Sequence, residues 1–178
     1  GIPADTIIVS ITNATTFVMS NAATASATVT LYFHANLTVQ SELGADGGNA
    51  TARYITRRVN LKDGFDATDL NVHLTAIREA GSSITVYYKV LSQFDTDTFD
   101  NRPWTEMGEV SNLNSVSGSD ADAEYLELEF SPAGINANYI SNLVTYNSFK
   151  TFAIKVVMTS ANTTRVPLIR DLRVIALA

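Results

Sequence analysis

The chain has 178 residues, 46% of them hydrophobic, which is enough for one domain with a sizeable core and short for two. Its net charge is −6, with four lysines, eight arginines and no basic run, which argues against binding to a phosphate backbone. It has no cysteine, so disulfides, thiolate zinc sites and cysteine nucleophiles are excluded.

Only 17% of the residues are charged, below the usual quarter, and threonine and asparagine fill many polar positions. Threonine fits a pleated strand, so this surface suits a β-protein. No segment approaches the ~18 apolar residues of a membrane span, and no membrane insertion is expected. The opening "GIPADT" has no charged n-region or apolar h-region, so it does not read as a signal peptide. The chain starts without methionine and reads as a fragment of a longer protein. N-x-[ST] triplets at Asn13, Asn36, Asn49 and Asn162 follow from the Asn- and Thr-rich composition, and no glycosylation is expected.

Taken in chain order, the dominant period is two rather than 3.6. Ile7, Val9 and Ile11 form a short alternating set. In "TVTLYFHANLTVQ", 28–40, Val29, Leu31, Phe33, Ala35, Leu37 and Val39 share one face, with His34 on the other, predicting a long strand. "ELGADGGNA", 42–50, is a glycine-rich loop. Arg53, Arg57 and Arg58 flank Tyr54 and are positioned to meet carboxylates across a strand pair or on a neighbouring chain. "KDGFD", 62–66, is a turn. Leu70, Val72, Leu74 and Ala76 predict the next strand, with His73 on its polar face. "EAGSS", 79–83, reads as a hairpin connection to a strand with Ile84, Val86, Tyr88 and Val90 inward.

Further along, "VSGSDAD", 116–122, is a polar loop, and Leu126, Leu128 and Phe130 alternate with Glu127 and Glu129. "INANYISNLVTYNSF", 135–149, holds at most one short helical turn, given its asparagines and β-branched residues. Phe152, Ile154, Val156 and Met158 line up in another strand. "SANTTRVP", 160–167, leads to a last one with Leu172, Val174 and Ala176 inward. The expected fold is all-β, an antiparallel two-sheet sandwich of jelly-roll type, with a closed barrel as the alternative. Residues 1–50 read as a strand-rich arm of the same domain and 51–178 as the sandwich core.

The stretch "VYYKVLSQFDTDTFDNRPWTEM", 86–107, carries the densest chemistry. It reads as strand, long acidic hairpin, strand, with Tyr87 and Lys89 facing solvent or a partner. Asp95, Asp97 and Asp100 resemble spaced oxygen donors for calcium, but Phe99 interrupts them and no glycine follows. A solvated hairpin tip is the first reading and a calcium or sodium site outside the EF-hand type the second. Trp104, the single tryptophan, is either an anchor between sheets or a platform for a sugar ring. Long loops on rigid sandwiches are where partners bind, so 93–104 is the expected contact patch.

His34 and His73 lack an evident nucleophile or metal partner, and Glu127 and Glu129 match an ordinary wet strand face. No G-x-S-x-G, H-E-x-x-H, P-loop or G-x-G-x-x-G is present, so a non-enzymatic role is expected.

Two stretches carry a resemblance: "YITRRVNLKDGFDATDLNVHLTAIREAGSSITVYYKVLSQFDTDTFDNRPWTEM" and "FKTFAIKVVMTSANTTRVPLIRDLRVIALA". Together, over 53–107 and 149–178, they resemble a β-sandwich domain of virion structural proteins of contractile-tailed marine bacteriophages, cyanophages especially. The resemblance implies a tail, baseplate or fibre component of a phage particle. Its partners would be other virion proteins or copies of itself, a trimer included, and it brings no catalytic residue. The alternative is a carbohydrate-binding module that stacks a glycan on Trp104 and Tyr87. An exposed apolar patch along 1–25 would favour assembly.

Overall fold

The structure, a computed structural model, describes residues 1–3, 6–13, 15–26, 28, 41–110, 124–134, 136–161 and 165–178. Nearly all of the strand expected over 28–40 lies outside them, as do His34, the triplets at Asn36 and Asn162, and the loop 116–122. The chain divides into two compact units, Gly1–Thr38 and Val39–Ala178.

In the smaller unit, β1 (Ile8–Asn13) pairs antiparallel with β2 (Thr16–Met19). Asn13 makes the turn, its Oδ1 accepting from the Thr15 amide at 2.9 Å and the Thr15 hydroxyl at 3.0 Å. The alternating set predicted here is not buried: every residue of β1 is exposed. Two strands have too little surface to cover an apolar face by themselves.

In the larger unit the chain forms β3 (Arg53–Ile55), β4 (Val59–Asn60), β5 (Asp69–Ile77), β6 (Ser82–Leu91), β7 (Thr105–Glu109), β8 (Leu126–Pro132), β9 (Tyr139–Ser141), β10 (Val144–Tyr146), β11 (Thr151–Ser160) and β12 (Leu168–Leu177). One large sheet runs β12-β5-β8-β7-β6-β11-β3, with β4 also on β11, and its ladders are antiparallel. β9 and β10 form a separate antiparallel hairpin in the stretch expected to hold at most one helical turn. The single helical element among the described residues is a 3-10 turn, Phe99–Asn101.

The sheet curls over its own core. In a flat sheet β5 and β11, four strands apart, would be separated by about 19 Å. Yet Leu70, Val72, Leu74 and Ala76 of β5 share one buried cluster with Phe152, Ile154 and Val156 of β11. Leu128 and Phe130 of β8 and Ile84, Val86, Tyr88 and Val90 of β6 complete it. β7 makes the corner: Thr105 and Glu106 pair with β6, whereas Met107, Gly108 and Glu109 pair with β8. A strand that changes layers in this way joins the two halves of a sandwich. The all-β antiparallel sandwich is therefore the observed fold. The ladders do not establish jelly-roll connectivity.

The inward faces of β5, β6, β8, β11 and β12 are those that the alternation predicts. The 79–83 turn forms as expected, with Gly81 at φ 81° and the Ser82 amide donating to the Glu79 carbonyl at 3.0 Å. It does not close a hairpin, however. β5 pairs with β8 and β12, and β6 pairs with β7 and β11, so the turn carries the chain between layers.

Candidate functional site

Residues 86–107 fold as strand, loop and strand, but the expected exposure of Tyr87 and Lys89 is corrected. Both are buried, on the face of β6 that points away from the main core. β11 explains this. Along β6 and β11, Tyr87 lies opposite Lys155 and Lys89 opposite Ala153, and their outward face is covered as well as the inward one. Tyr87, Phe99, Trp104, Ala153 and Val157 form a second apolar cluster there. Trp104 is thus an anchor, and as a buried ring it offers no open platform to a sugar.

The glycine-rich loop 41–50 is clasped against this cluster by two buried lysines. The Lys155 ammonium donates to the Glu42 carbonyl at 2.5 Å, the Glu42 Oε2 at 2.9 Å and the Gly47 carbonyl at 3.0 Å. Lys89 Nζ donates to the Ala45 carbonyl at 2.9 Å and, more weakly, to the Asp100 carbonyl at 3.4 Å. Both ammoniums also lie over the Trp104 ring, at 5.0 Å for Lys89 and 5.1 Å for Lys155, and Lys155 is 4.5 Å from the Tyr87 centroid. Cation–π attraction strengthens as such groups lose water. The Trp104 amide donates to the Leu43 carbonyl at 2.9 Å, closing the clasp from its other side. Gly48 must be glycine: its φ is 72°, and a Cβ there would lie 2.3 Å from Glu42 Oε1.

Burial pushes both lysines below their ordinary pKa, with Asp100 opposing at Lys89 and Glu42 opposing at Lys155. Burial alone would raise the Glu42 carboxyl. The hydrogen bonds from Lys155 and the Ala50 amide outweigh it and hold Glu42 below the usual value. Of the three nearby arginines, Arg53 donates to the carbonyls of Gly47 and Gly48 and Arg58 stacks 5.6 Å from the Phe99 centroid. Those two make these contacts in place of the expected carboxylate partners.

The three aspartates do not converge. Asp95 is buried and accepts from the Tyr139 hydroxyl at 3.0 Å, the Ser141 hydroxyl at 3.2 Å and the Asp97 amide at 3.0 Å. Asp97 accepts from Asn101 Nδ2 at 3.1 Å and the Thr98 amide at 2.8 Å, which lower its pKa. Asp100 is exposed, and its backbone carbonyl meets Lys89. Among the described residues no three His, Cys, Asp or Glu side chains gather as a metal would need. Asp95 and Asp97 are engaged in hydrogen bonds within the chain, and the expected solvated tip is corrected at Asp95, which is buried.

Asp95 instead props up the β9–β10 hairpin. The Tyr139 hydroxyl also accepts from the Ser92 amide at 2.8 Å, its ring stacks on Tyr146 at 5.2 Å, and the Arg102 guanidinium covers it at 4.2 Å. Burial, tempered by the Ser92 amide and reinforced by Asp95, pushes the Tyr139 phenol up to about 12. Asn142 and Leu143 make the tight turn with φ of 49° and 66°. Leu143 is 99% exposed, Ile140 68% and Phe94, on the neighbouring loop, 72%.

Two cavities border these elements. One of about 400 Å³ opens where β7 leaves β6, lined by Arg78, Glu109, Met107, Ile84 and hydroxyl groups of Ser82, Ser83 and Thr85. Arg78 and Glu109 close it as a buried bidentate pair at 2.6 and 3.0 Å. The other, of about 380 Å³, lies between the hairpin and residues Ala133, Gly134, Asn136 and Asn138. His73, Glu127 and Glu129 form no concave site. They sit on the outward face of β5 and β8, where His73 opposes Glu129 and Glu127 pairs with Arg173 of β12.

Sequence reasoning missed Glu42, Lys155, Tyr139 and Ser141. A lysine inside each of the apolar runs "ITVYYKV" and "FAIKVVM" was the available signal, because a charge in a strand buried on both faces needs a partner. Comparisons with protein-family models, curated proteins and solved structures gave no match to this chain.

Proposed function

We propose that this chain is a non-enzymatic structural component of a phage particle, part of a tail, baseplate or fibre, acting through protein–protein assembly or host-surface attachment. The observation that carries the reading is the β1–β2 hairpin. Ile7, Ile8, Val9, Ile11 and Val18 are all exposed on it, Val9 at 61% and Ile11 at 74%. A two-stranded ladder is marginal in water, and exposed apolar side chains add nothing to its own stability. Covering by another chain, a symmetric copy or a further particle protein, would supply what it lacks. The exposed Phe94, Ile140 and Leu143 give the larger unit contact points of the same kind.

Sedimentation velocity across a concentration series tests this. The wild-type chain is expected to form a reversible, concentration-dependent assembly that Val9→Asp with Ile11→Asp disperses. Trp104 emission, read alongside, checks that the larger unit stays folded in that variant. A wild-type chain that stays monomeric throughout and sediments like the variant counts against the reading.

A further inference from the structure

The 380 Å³ cavity beside the β9–β10 hairpin has a chemistry that assembly does not use. Its lining residues include Asn136, Asn138, Thr105, Thr145, Tyr139 and the exposed Ile140. None of the described residues that line it is an Asp, Glu, Lys, Arg or His, in a chain that carries 18 acidic and 12 basic residues. A neutral lining does not compensate an ionic ligand for its lost hydration. Amides and hydroxyls each donate and accept, which matches a ligand with adjacent hydroxyl groups. The volume is at the lower end of small-ligand sites.

The wall is also set before a ligand arrives. The Tyr139 ring contacts Arg102 and Tyr146, and its hydroxyl is engaged by Asp95 and the Ser92 amide. Ile140, next along β9 and exposed, offers the apolar surface for a sugar's C–H face. A fixed wall spares a ligand the entropy of ordering it. Trp104, by contrast, is buried and not open to a ligand.

We infer that this cavity binds a neutral saccharide, held by Asn136, Asn138, Thr105 and Thr145 against Ile140. Ile140 is common to both readings, but the assembly test acts on Val9 and Ile11, which do not line the cavity, so the two are tested separately.

Amide NMR of the full chain, titrated with D-glucose, D-galactose or N-acetyl-D-glucosamine to about 50 mM, well above a ~1 mM dissociation constant, decides the matter. Sodium D-glucuronate is the charged comparator. The expected result is a saturable shift of the Asn136 and Asn138 side-chain signals with at least one neutral sugar and a weaker response to glucuronate. Asn138→Ala and Thr145→Val should each weaken that binding by roughly tenfold with the thermal midpoint kept. If Asn138→Ala fails to fold, Thr145→Val decides. No saturable shift with any of the three sugars overturns the inference. So does an equal response to glucuronate, or unchanged affinity in the folded variants.

Discussion

Lys155→Met removes the centre of the clasp on the 41–50 loop. The ammonium is fully buried and serves three acceptors, two of them on Glu42 and one on Gly47. Breaking a buried ion pair from one side typically costs about 3–5 kcal/mol, because the other charge is stranded. Two features lower that figure here. The Glu42 side chain keeps 13% of its exposure and its bond from the Ala50 amide at 2.8 Å, so it is not left wholly dry. Removing the lysine also relieves the desolvation that depresses its pKa. The expected loss is therefore about 2–3 kcal/mol. Glu42→Gln, which keeps an acceptor for the ammonium, should cost about 1 kcal/mol. The double variant Lys155→Met with Glu42→Leu should lose at least ~1 kcal/mol less than the sum of the two single changes to the same residues. The assay is urea unfolding read by Trp104 emission and by circular dichroism together. The single tryptophan lies in the clasp, so its transition should move to lower urea and precede the loss of strand signal. A Lys155→Met cost below about 0.5 kcal/mol with Trp104 emission unaltered would refute the clasp.

Other outcomes follow from the same geometry. Leu143→Gly should raise stability by about 0.5–1 kcal/mol, since a left-handed backbone costs a residue with a Cβ roughly 1–2 kcal/mol and glycine returns part of that through the unfolded chain; a lowered denaturation midpoint contradicts it. Asp95→Ala should cost about 1–3 kcal/mol by stranding the Tyr139 and Ser141 hydroxyls, read from the same urea curves, and a neutral effect contradicts it. The Glu42 carboxyl lies below its ordinary 4.5 in the folded chain. Its contribution is therefore complete above that value and is lost as pH falls through the folded one. Acid titration of Trp104 emission should show this step in the wild type and not in Glu42→Gln; identical titrations would remove Glu42 from the clasp. Millimolar calcium should leave the thermal midpoint in place, and a rise that scales with calcium would mean the aspartates do gather.

The layer that faces the main core was legible because β5 obeys the period of two without exception: Leu70, Val72, Leu74 and Ala76 are all fully buried. β6 and β11 were half legible. Their inward rows were read correctly, but alternation assigns the other row to water, and Tyr87, Lys89, Ala153 and Lys155 are covered by loops distant in sequence. A strand buried on both faces reads as an apolar run, and only the lysines within it hinted at partners. The 79–83 turn shows a second limit. Its glycine and its hydrogen bond are local and legible, whereas the choice of β8, rather than β6, as the partner of β5 depends on contacts more than fifty residues away. The aspartates show the same limit. Their spacing suggests an ion, but Asp95 is satisfied by Tyr139 and Ser141, more than forty residues on.

Mass spectrometry of purified phage particles, from a culture whose virus encodes this sequence, puts the assembly role to its most direct test. Peptides from both units of the chain should appear in the intact particle at a ratio to the tail proteins that stays constant through density-gradient purification. Their absence from particles, with the chain abundant in the infected lysate, would contradict a structural role.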